Sequence, residues 1–268
     1  MPEALPTALE AKSPFELRVH LGDSVPEQSV RDALATGDMG FIPSYTTGST
    51  VDGPGVRVVA WTTGCIWRCQ YCHNPDTWTM SNGRPVSIAN ADEELGKYRH
   101  GLDFMSGGFT LSGGEPLMQH RFAAKLMAAA KGMGIHTTLE TNGFYGDKLS
   151  DAELDTIGLV MLGLKTWDPV RHLELTRQPV EPTIPFARRL AARRPIWIRF
   201  VLVPGLTDDI DDLAKTAEFA AGLGNVERVE GCRSIRWDGS SGSGSTSTTN
   251  SAMSRHRRPN SPSGRARC

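Results

Sequence analysis

Three cysteines, Cys65, Cys69 and Cys72, fall within eight residues in a CxxxCxxC pattern, inside the stretch from Gly64 to Pro75. Three thiolates on one short loop can hold three corners of a cubane iron–sulfur cluster, because soft sulfur ligands suit iron and the spacing makes the chain wrap the metal. The fourth iron then has no protein ligand and is open to a small molecule. A structural zinc site is the competing reading, but it wants four protein ligands, commonly in CxxC pairs. No second pair exists in the chain, and His73 adjoins Cys72, where tetrahedral closure is strained.

Other polar motifs follow apolar runs. Ser112-Gly113-Gly114-Glu115-Pro116 has paired glycines, which let a backbone approach a ligand closely, although a tight turn explains them as well. Glu140-Thr141-Asn142-Gly143 and Gly163-Leu164-Lys165 stand at the ends of two further runs. Arg199 lies inside the apolar run Ile196–Val203, where a buried charge needs a partner.

Short β-like runs at Val56–Trp61, Gly108–Ser112, Ile135–Glu140, Leu159–Leu164, Ile196–Val203 and Val226–Glu230 are mostly uninterrupted apolar, as strands covered on both faces are. Helical patterns occur near Ala91–Arg99, at Arg121–Lys131, at Ile184–Arg193 and at Asp209–Gly222, where Leu213, Ala217 and Phe219 are expected to face inward. A weaker helix is read at Val25–Thr36 and a strand at Phe15–Val19. Alternating strands and helices predict a parallel sheet, either doubly wound or a barrel. The polar motifs all follow strands, which is where barrel enzymes place their chemistry.

The chain has 268 residues, a formal charge of −1 and ordinary apolar content, which predicts one globular domain with additions. No apolar run approaches the roughly 18 to 20 residues that span a bilayer, and Met1–Lys12 resembles neither a signal nor a transit peptide. The expectation is a soluble cytoplasmic protein with no membrane partner. Clustered cysteines point to a reducing compartment rather than a disulfide framework.

With Tyr71 just before the third cysteine, the loop resembles that of the radical S-adenosylmethionine (SAM) enzymes, and Cys72-His73-Asn74-Pro75 resembles their glycyl-radical-enzyme activating branch. The likeness runs from about Thr50 to about Glu230. It implies a partial (β/α)6 TIM-like barrel of the radical SAM type, an α/β fold open on one side. It also implies a [4Fe-4S] cluster on Cys65, Cys69 and Cys72. SAM is expected against Tyr71, Gly113, Gly114, Glu115, Glu140, Thr141 and Lys165, with the substrate peptide on Asp52, His73, Asn74 and Arg199. Lys165, Arg199 and Asp52 are the expected catalytic residues, the last two paired with each other. The family carries Asp at positions 140 and 163, whose carboxylates help bind a monovalent cation. Glu140 keeps a charge here and Gly163 does not.

The implied reaction reduces SAM by one electron, giving methionine and a 5′-deoxyadenosyl radical that takes hydrogen from a glycine of formate acetyltransferase (pyruvate formate-lyase). A flavodoxin or ferredoxin-type protein is the implied electron donor, and a monomer with no nucleic-acid partner the implied state. Activases of other glycyl-radical enzymes often carry a ferredoxin-like insert with extra cysteines. None occurs between Cys72 and Cys232. The remaining alternative is a cluster-binding homologue impaired by Gly163 and an altered C-terminus.

Three segments are expected: 1–45, an N-terminal extension of unknown role; 46–230, the radical SAM core; and 231–268, a low-complexity basic tail, disordered or aberrant. The tail carries seven Arg and one Asp, a formal +6 against −7 for the rest. The family continues with a Leu-Pro-Tyr/Phe-His segment where this chain reads Gly231-Cys232-Arg233. Read one base out of frame with permitted synonymous codons, Cys232 to Gly242 encodes Pro-Phe-His-Gln-Met-Gly-Arg-Phe-Lys-Trp. A one-base deletion near the Gly231 codon is therefore expected, and the nucleotide sequence tests it.

Overall fold

The computed structural model describes residues 27–233. The strand expected at Phe15–Val19 and the tail beyond Arg233 lie outside them.

The chain opens with α1 (Glu27–Thr36), β1 (Met39–Ile42), β2 (Ser44–Ser49) and β3 (Arg57–Thr62). After the cysteine loop come β4 (Arg84–Ser87), α2 (Ile88–Gly96), α3 (Arg99–Phe104), β5 (Gly108–Gly113), α4 (His120–Gly132) and β6 (His136–Thr141). The second half runs α5 (Asp151–Leu154), β7 (Leu159–Gly163), α6 (Pro169–Thr176), α7 (Thr183–Ala191), β8 (Ile196–Leu202), α8 (Ile210–Gly222) and β9 (Val226–Arg233). All the strand runs expected from Val56 onward form.

Strands β3, β5, β6, β7, β8 and β9 pair in that order, each parallel to the last. Strictly sequential winding excludes the doubly wound arrangement, whose strand order reverses. An antiparallel β2 extends the sheet beyond β3, and β1 pairs with β4 in a separate ribbon. Strands β1, β2 and β4 were not expected.

The sheet curls. Arg199 of β8 makes an ion pair with Asp52, just upstream of β3, at 3.4 Å. Four strand spacings in a flat sheet would hold β3 and β8 roughly 19 Å apart. Side chains therefore sort onto two faces. Val58, Phe109, Leu111, Leu139, Val160, Leu162 and Ile198 join the main core, together with Leu126, Phe186 and Leu190 from the helices. Leu159, Met161 and Trp197 form a small separate cluster on the alternate positions of β7 and β8. The inner face also carries polar groups: Arg57, Thr110, Ser112, Thr138, Glu140, Arg199 and Glu230 all lie on it or bond across it.

Local signals set the helix ends. Ser87 caps α2 through Asn90 N, Ser150 and Glu153 form a capping box on α5, and Asp168 caps α6 with Pro169 at its first turn. The pattern near Ala91–Arg99 resolves into α2 and α3 rather than one helix. In α8 the inward stripe is Asp212, Thr216 and Ala220; Ala217 is exposed, and Leu213 and Phe219 are half-buried. Asp212 takes the inward place because it accepts hydrogen bonds from Thr166 Oγ1, Trp167 N and Asp168 N, holding the turn after β7. No helix among the described residues is long and apolar enough to cross a membrane.

Candidate active site

The cysteine loop leaves β3 at its carboxyl end and is held mainly by its backbone. Gly64 N donates to Thr77 O at 2.8 Å and Cys65 N to Trp78 O at 3.1 Å. Arg68 N reaches Thr176 O at 2.7 Å and Gln70 N reaches Leu175 O at 3.0 Å, so loop amides satisfy the last carbonyls of α6. Trp67, between the first two cysteines, is buried and meets the ring of His172 of α6 edge-on, centroids 4.8 Å apart. His172 Nδ1 bonds Gln178 O at 2.7 Å, and burial lowers its pKa. The Nε1 of Trp67 and the Nε2 of His172 are both buried without a partner.

The thiols lie within each other's electrostatic reach. Burial pushes Cys65 up to about 12, helped by the charge of Glu115 and by Cys69 and Cys72, while the Trp67 amide opposes it. Burial also raises Cys69, against the nearby Lys165 ammonium. Burial raises the Tyr71 phenol, and its hydroxyl has no partner. Among the described residues no three His, Cys, Asp or Glu side chains converge as a single ion requires. A cubane asks instead for one thiolate on each of three irons, and three soft donors on one loop, Cys65 buried and Cys69 and Cys72 half-buried, fit it.

The glycine motif packs against this loop. Gly113 has φ +122, and a Cβ there would stand 2.2 Å from Thr62 N; one on Gly114 would stand 2.6 Å from Gly64 O. Glu115 is 1% exposed, and its carboxylate accepts from Leu117 N at 2.9 Å, Thr141 Oγ1 at 2.7 Å and Asn142 N at 2.8 Å. Burial lifts its pKa to about 7, with those donors opposing. Glu115 thus ties the loop after β5 to the loop after β6, which brings Gly113, Gly114 and Thr141 together.

Inside the barrel, Arg199 bonds Glu140 Oε1 at 2.7 Å, Val51 O at 2.5 Å, Glu230 Oε2 at 3.3 Å and Asp52 Oδ1 at 3.4 Å. The pairing with Asp52 that a buried arginine called for is present. Burial favours loss of the Arg199 proton, but the three carboxylates overcome it and raise its pKa. Burial likewise pushes Glu140 up, and Arg199 with Ser112 Oγ at 2.6 Å more than reverses that. Asp52 also accepts from Ser49 Oγ, at 2.5 Å.

Lys165 stands against Gly163: a Cβ built on that glycine would lie 3.2 Å from Lys165 Nζ and 3.6 Å from Thr141 O. His73 is exposed and Asn74 half-buried, at the loop's far end. Sequence reasoning missed Arg57, which is fully buried and bonds Thr110 Oγ1 at 2.9 Å, Thr138 Oγ1 at 2.8 Å and Phe109 O at 2.5 Å. Burial lowers its pKa to about 10. Thr110 Oγ1 in turn donates to Asp52 O at 2.6 Å, so Arg57 fixes the Asp52 backbone. Trp67, His172 and Glu230 were also missed, as was the bond from Ser112 of the glycine motif to Glu140. Trp67 lay in plain view inside the cysteine motif; His172 and Glu230 are recognisable only by partners distant in sequence.

A profile described as the radical SAM superfamily matches residues 59–220. The chain is 41% identical over 195 residues to the pyruvate formate-lyase 1-activating enzyme of Escherichia coli (strain K12), covering 72% of this chain and 79% of that one. It is 43% identical over 199 residues to the pyruvate formate-lyase-activating enzyme of Staphylococcus aureus (strain USA300), covering 71% and 79%. Streptococcus suis SuiB bound to S-adenosylmethionine superposes with a TM-score of 0.52 at 17% identity, over 65% of this chain and 39% of that one. SuiB bound to its precursor peptide SuiA superposes with a TM-score of 0.55 at 14% identity, over 81% and 47%. At such identities the likeness is one of fold. The cysteine loop, the strand order and the extent of identity lead to one assignment: the chain belongs to the radical SAM superfamily and, within it, to the pyruvate formate-lyase activating enzymes.

Proposed function

We propose that this protein activates a pyruvate formate-lyase by generating its glycyl radical, using a [4Fe-4S] cluster and SAM. The observation that carries this reading is the meeting, at one barrel mouth, of three mutually interacting thiols, a glycine pair packed on their loop, and a lysine ammonium. When bound, the cluster and SAM supply a one-electron cleavage and a hydrogen-abstracting radical. The rest is done by the chain.

Cys65, Cys69 and Cys72 hold the cluster. Gly113 and Gly114 offer close-lying backbone groups to SAM, Thr141 and Lys165 flank its amino acid end, and Tyr71 covers its adenine. Glu115 serves through Thr141 and Asn142, since its own carboxylate is filled by protein donors. Glu140 orients Arg199 and is itself compensated, so a monovalent cation has no free carboxylate at positions 140 and 163 to bind. Asp52 and Arg199 receive the target peptide on the inner wall, and His73 and Asn74 meet it at the rim. Among the described residues β2 and β9 each have a single strand neighbour, which leaves a side entrance for a polypeptide. A cytoplasmic monomer reduced by a flavodoxin or ferredoxin-type protein completes the reading.

Anaerobic incubation of reconstituted protein with SAM, a reductant and pyruvate formate-lyase tests it. A glycyl radical by electron paramagnetic resonance is expected, absent with Cys72→Ser. A radical on another glycyl-radical enzyme and none on pyruvate formate-lyase would overturn the choice of partner. The missing carboxylate at Gly163 favours one second reading, a protein that binds the cluster without cleaving SAM, and 5′-deoxyadenosine analysis in the same experiment separates the two.

A further inference from the structure

We propose that Trp67 and His172 form a dry wall behind the cysteine loop that keeps the cluster at low potential, with His172 as a positioning residue. The inference rests on reading Cys65, Cys69 and Cys72 as the cluster ligands.

Both rings are 1% exposed and meet edge-on, at an interplanar angle of 85°. One belongs to the loop itself, between two of its cysteines, and the other to α6, whose terminal carbonyls accept from Arg68 N and Gln70 N. His172 is fixed in its turn: Nδ1 donates to Gln178 O at 2.7 Å, and Thr176 Oγ1 lies 3.2 Å from the same nitrogen. Each ring nevertheless leaves one nitrogen buried and unpartnered. Simple hydrocarbon packing would avoid that cost, so what the two positions contribute to the seam is the bulk and rigidity of their rings. The contact spans the seam between loop and helix, the seam water would have to enter to reach the cluster from α6.

The sign of the electrical consequence follows from charge. A cluster held by three thiolates is anionic, and reduction adds one more negative charge. Water stabilises the more highly charged form, so a wetter site reduces more easily and at a less negative potential. A dry wall keeps the reduced cluster a strong donor.

The test uses the full chain, reconstituted anaerobically, with iron content and a redox titration followed by electron paramagnetic resonance. His172→Phe, which keeps a ring against Trp67, is expected to hold the wild-type potential. His172→Ala, which opens the seam, is expected to raise the reduced-to-oxidised ratio at a fixed poise by about tenfold. Should His172→Ala fail to fold, Trp67→Leu leaves α6 intact and carries the same expectation. Full iron content at wild-type potential in the opened variant would sink the wall alone, as would an equal shift in His172→Phe. Wild-type protein that takes up no iron would sink the ligand assignment and the wall with it.

Discussion

The cysteine loop and the Arg199 network lie in the same barrel and handle their polar groups in opposite ways. Around Arg199 the valences are met from within: three carboxylates and a carbonyl surround one guanidinium, and Ser112 and Ser49 take up oxygens of Glu140 and Asp52. Around the cysteines they are left over: thiols raised by burial and a buried phenol hydroxyl without a partner. Such deficits are tolerated where a bound group can repay them. The part of the barrel that imports its chemistry is the part left unsatisfied, and the part that only orients is closed on itself.

The strongest way to break this contrast is to unbalance the closed side. Removing Arg199 as Arg199→Met strands Asp52, Glu140 and Glu230 together in the interior. Loss of one partner from a buried ion pair costs about 3–5 kcal/mol, and a large loss by denaturant unfolding of the apo protein is expected. A loss near that of a surface change would show that water compensates these carboxylates and that the network is open after all. Asp52→Asn added to Arg199→Met should then cost less than it does alone, because the acid no longer has its partner.

Glu115 sits between the two regions and supplies a pH signature. Its folded pKa is raised to about 7 from 4.5, so its contribution is fully present below the unfolded value and is lost as pH rises through about 7. The full shift corresponds to about 3 kcal/mol. Wild-type stability relative to Glu115→Gln should therefore fall between about pH 4.5 and pH 7, measured by urea unfolding of each protein across that window. A flat difference would mean that the three donors to Glu115 offset its burial completely.

How far these regions could be read from sequence follows the same division. The cysteine motif is local, so its spacing alone carried the reading, and the inner strands were visible as apolar runs. The alternation within them was also there: His136-Thr137-Thr138-Leu139-Glu140 places Thr138 and Glu140 on the inner face and Leu139 on the core. By contrast β2, Ser44-Tyr45-Thr46-Thr47-Gly48-Ser49, is mostly exposed and has no apolar period to betray it. Arg57 was passed over because its partners, Thr110 and Thr138, lie 53 and 81 residues away. The need of Arg199 for a counter-charge was legible, and Asp52 met it; that Glu140 and Glu230 share the task was not. In α8 apolarity pointed to Leu213 and Ala217, whereas the turn after β7 needed an acceptor and put Asp212 inside.

A smaller change tests the border between the regions. Gly163→Ala places a methyl 3.2 Å from Lys165 Nζ, closer than ordinary contact, so the ammonium must give by a few tenths of an ångström. The expected result is weaker SAM binding by the cluster-loaded protein, by a few-fold and about 1 kcal/mol, in anaerobic titration calorimetry. Unchanged affinity would place the working position of Lys165 elsewhere.

The smallest effect belongs to an ion-pair group that resembles the Arg199 network on paper. Asp151 pairs with Arg189 and Arg193 at very short range, and Asp155 with Arg194, yet both acids are 52% exposed. The guanidiniums pull Asp151 below the ordinary carboxylate range, but water and salt screen exposed pairs and the long side chains lose entropy in making them. Asp151→Asn should barely move the thermal midpoint, and the little it moves should vanish in high salt. Arg199→Met should keep its large effect at the same ionic strength, because its partners are shielded from the ions as well as from the water. Equal salt sensitivity in the two variants would erase the distinction between a closed interior network and a surface cluster.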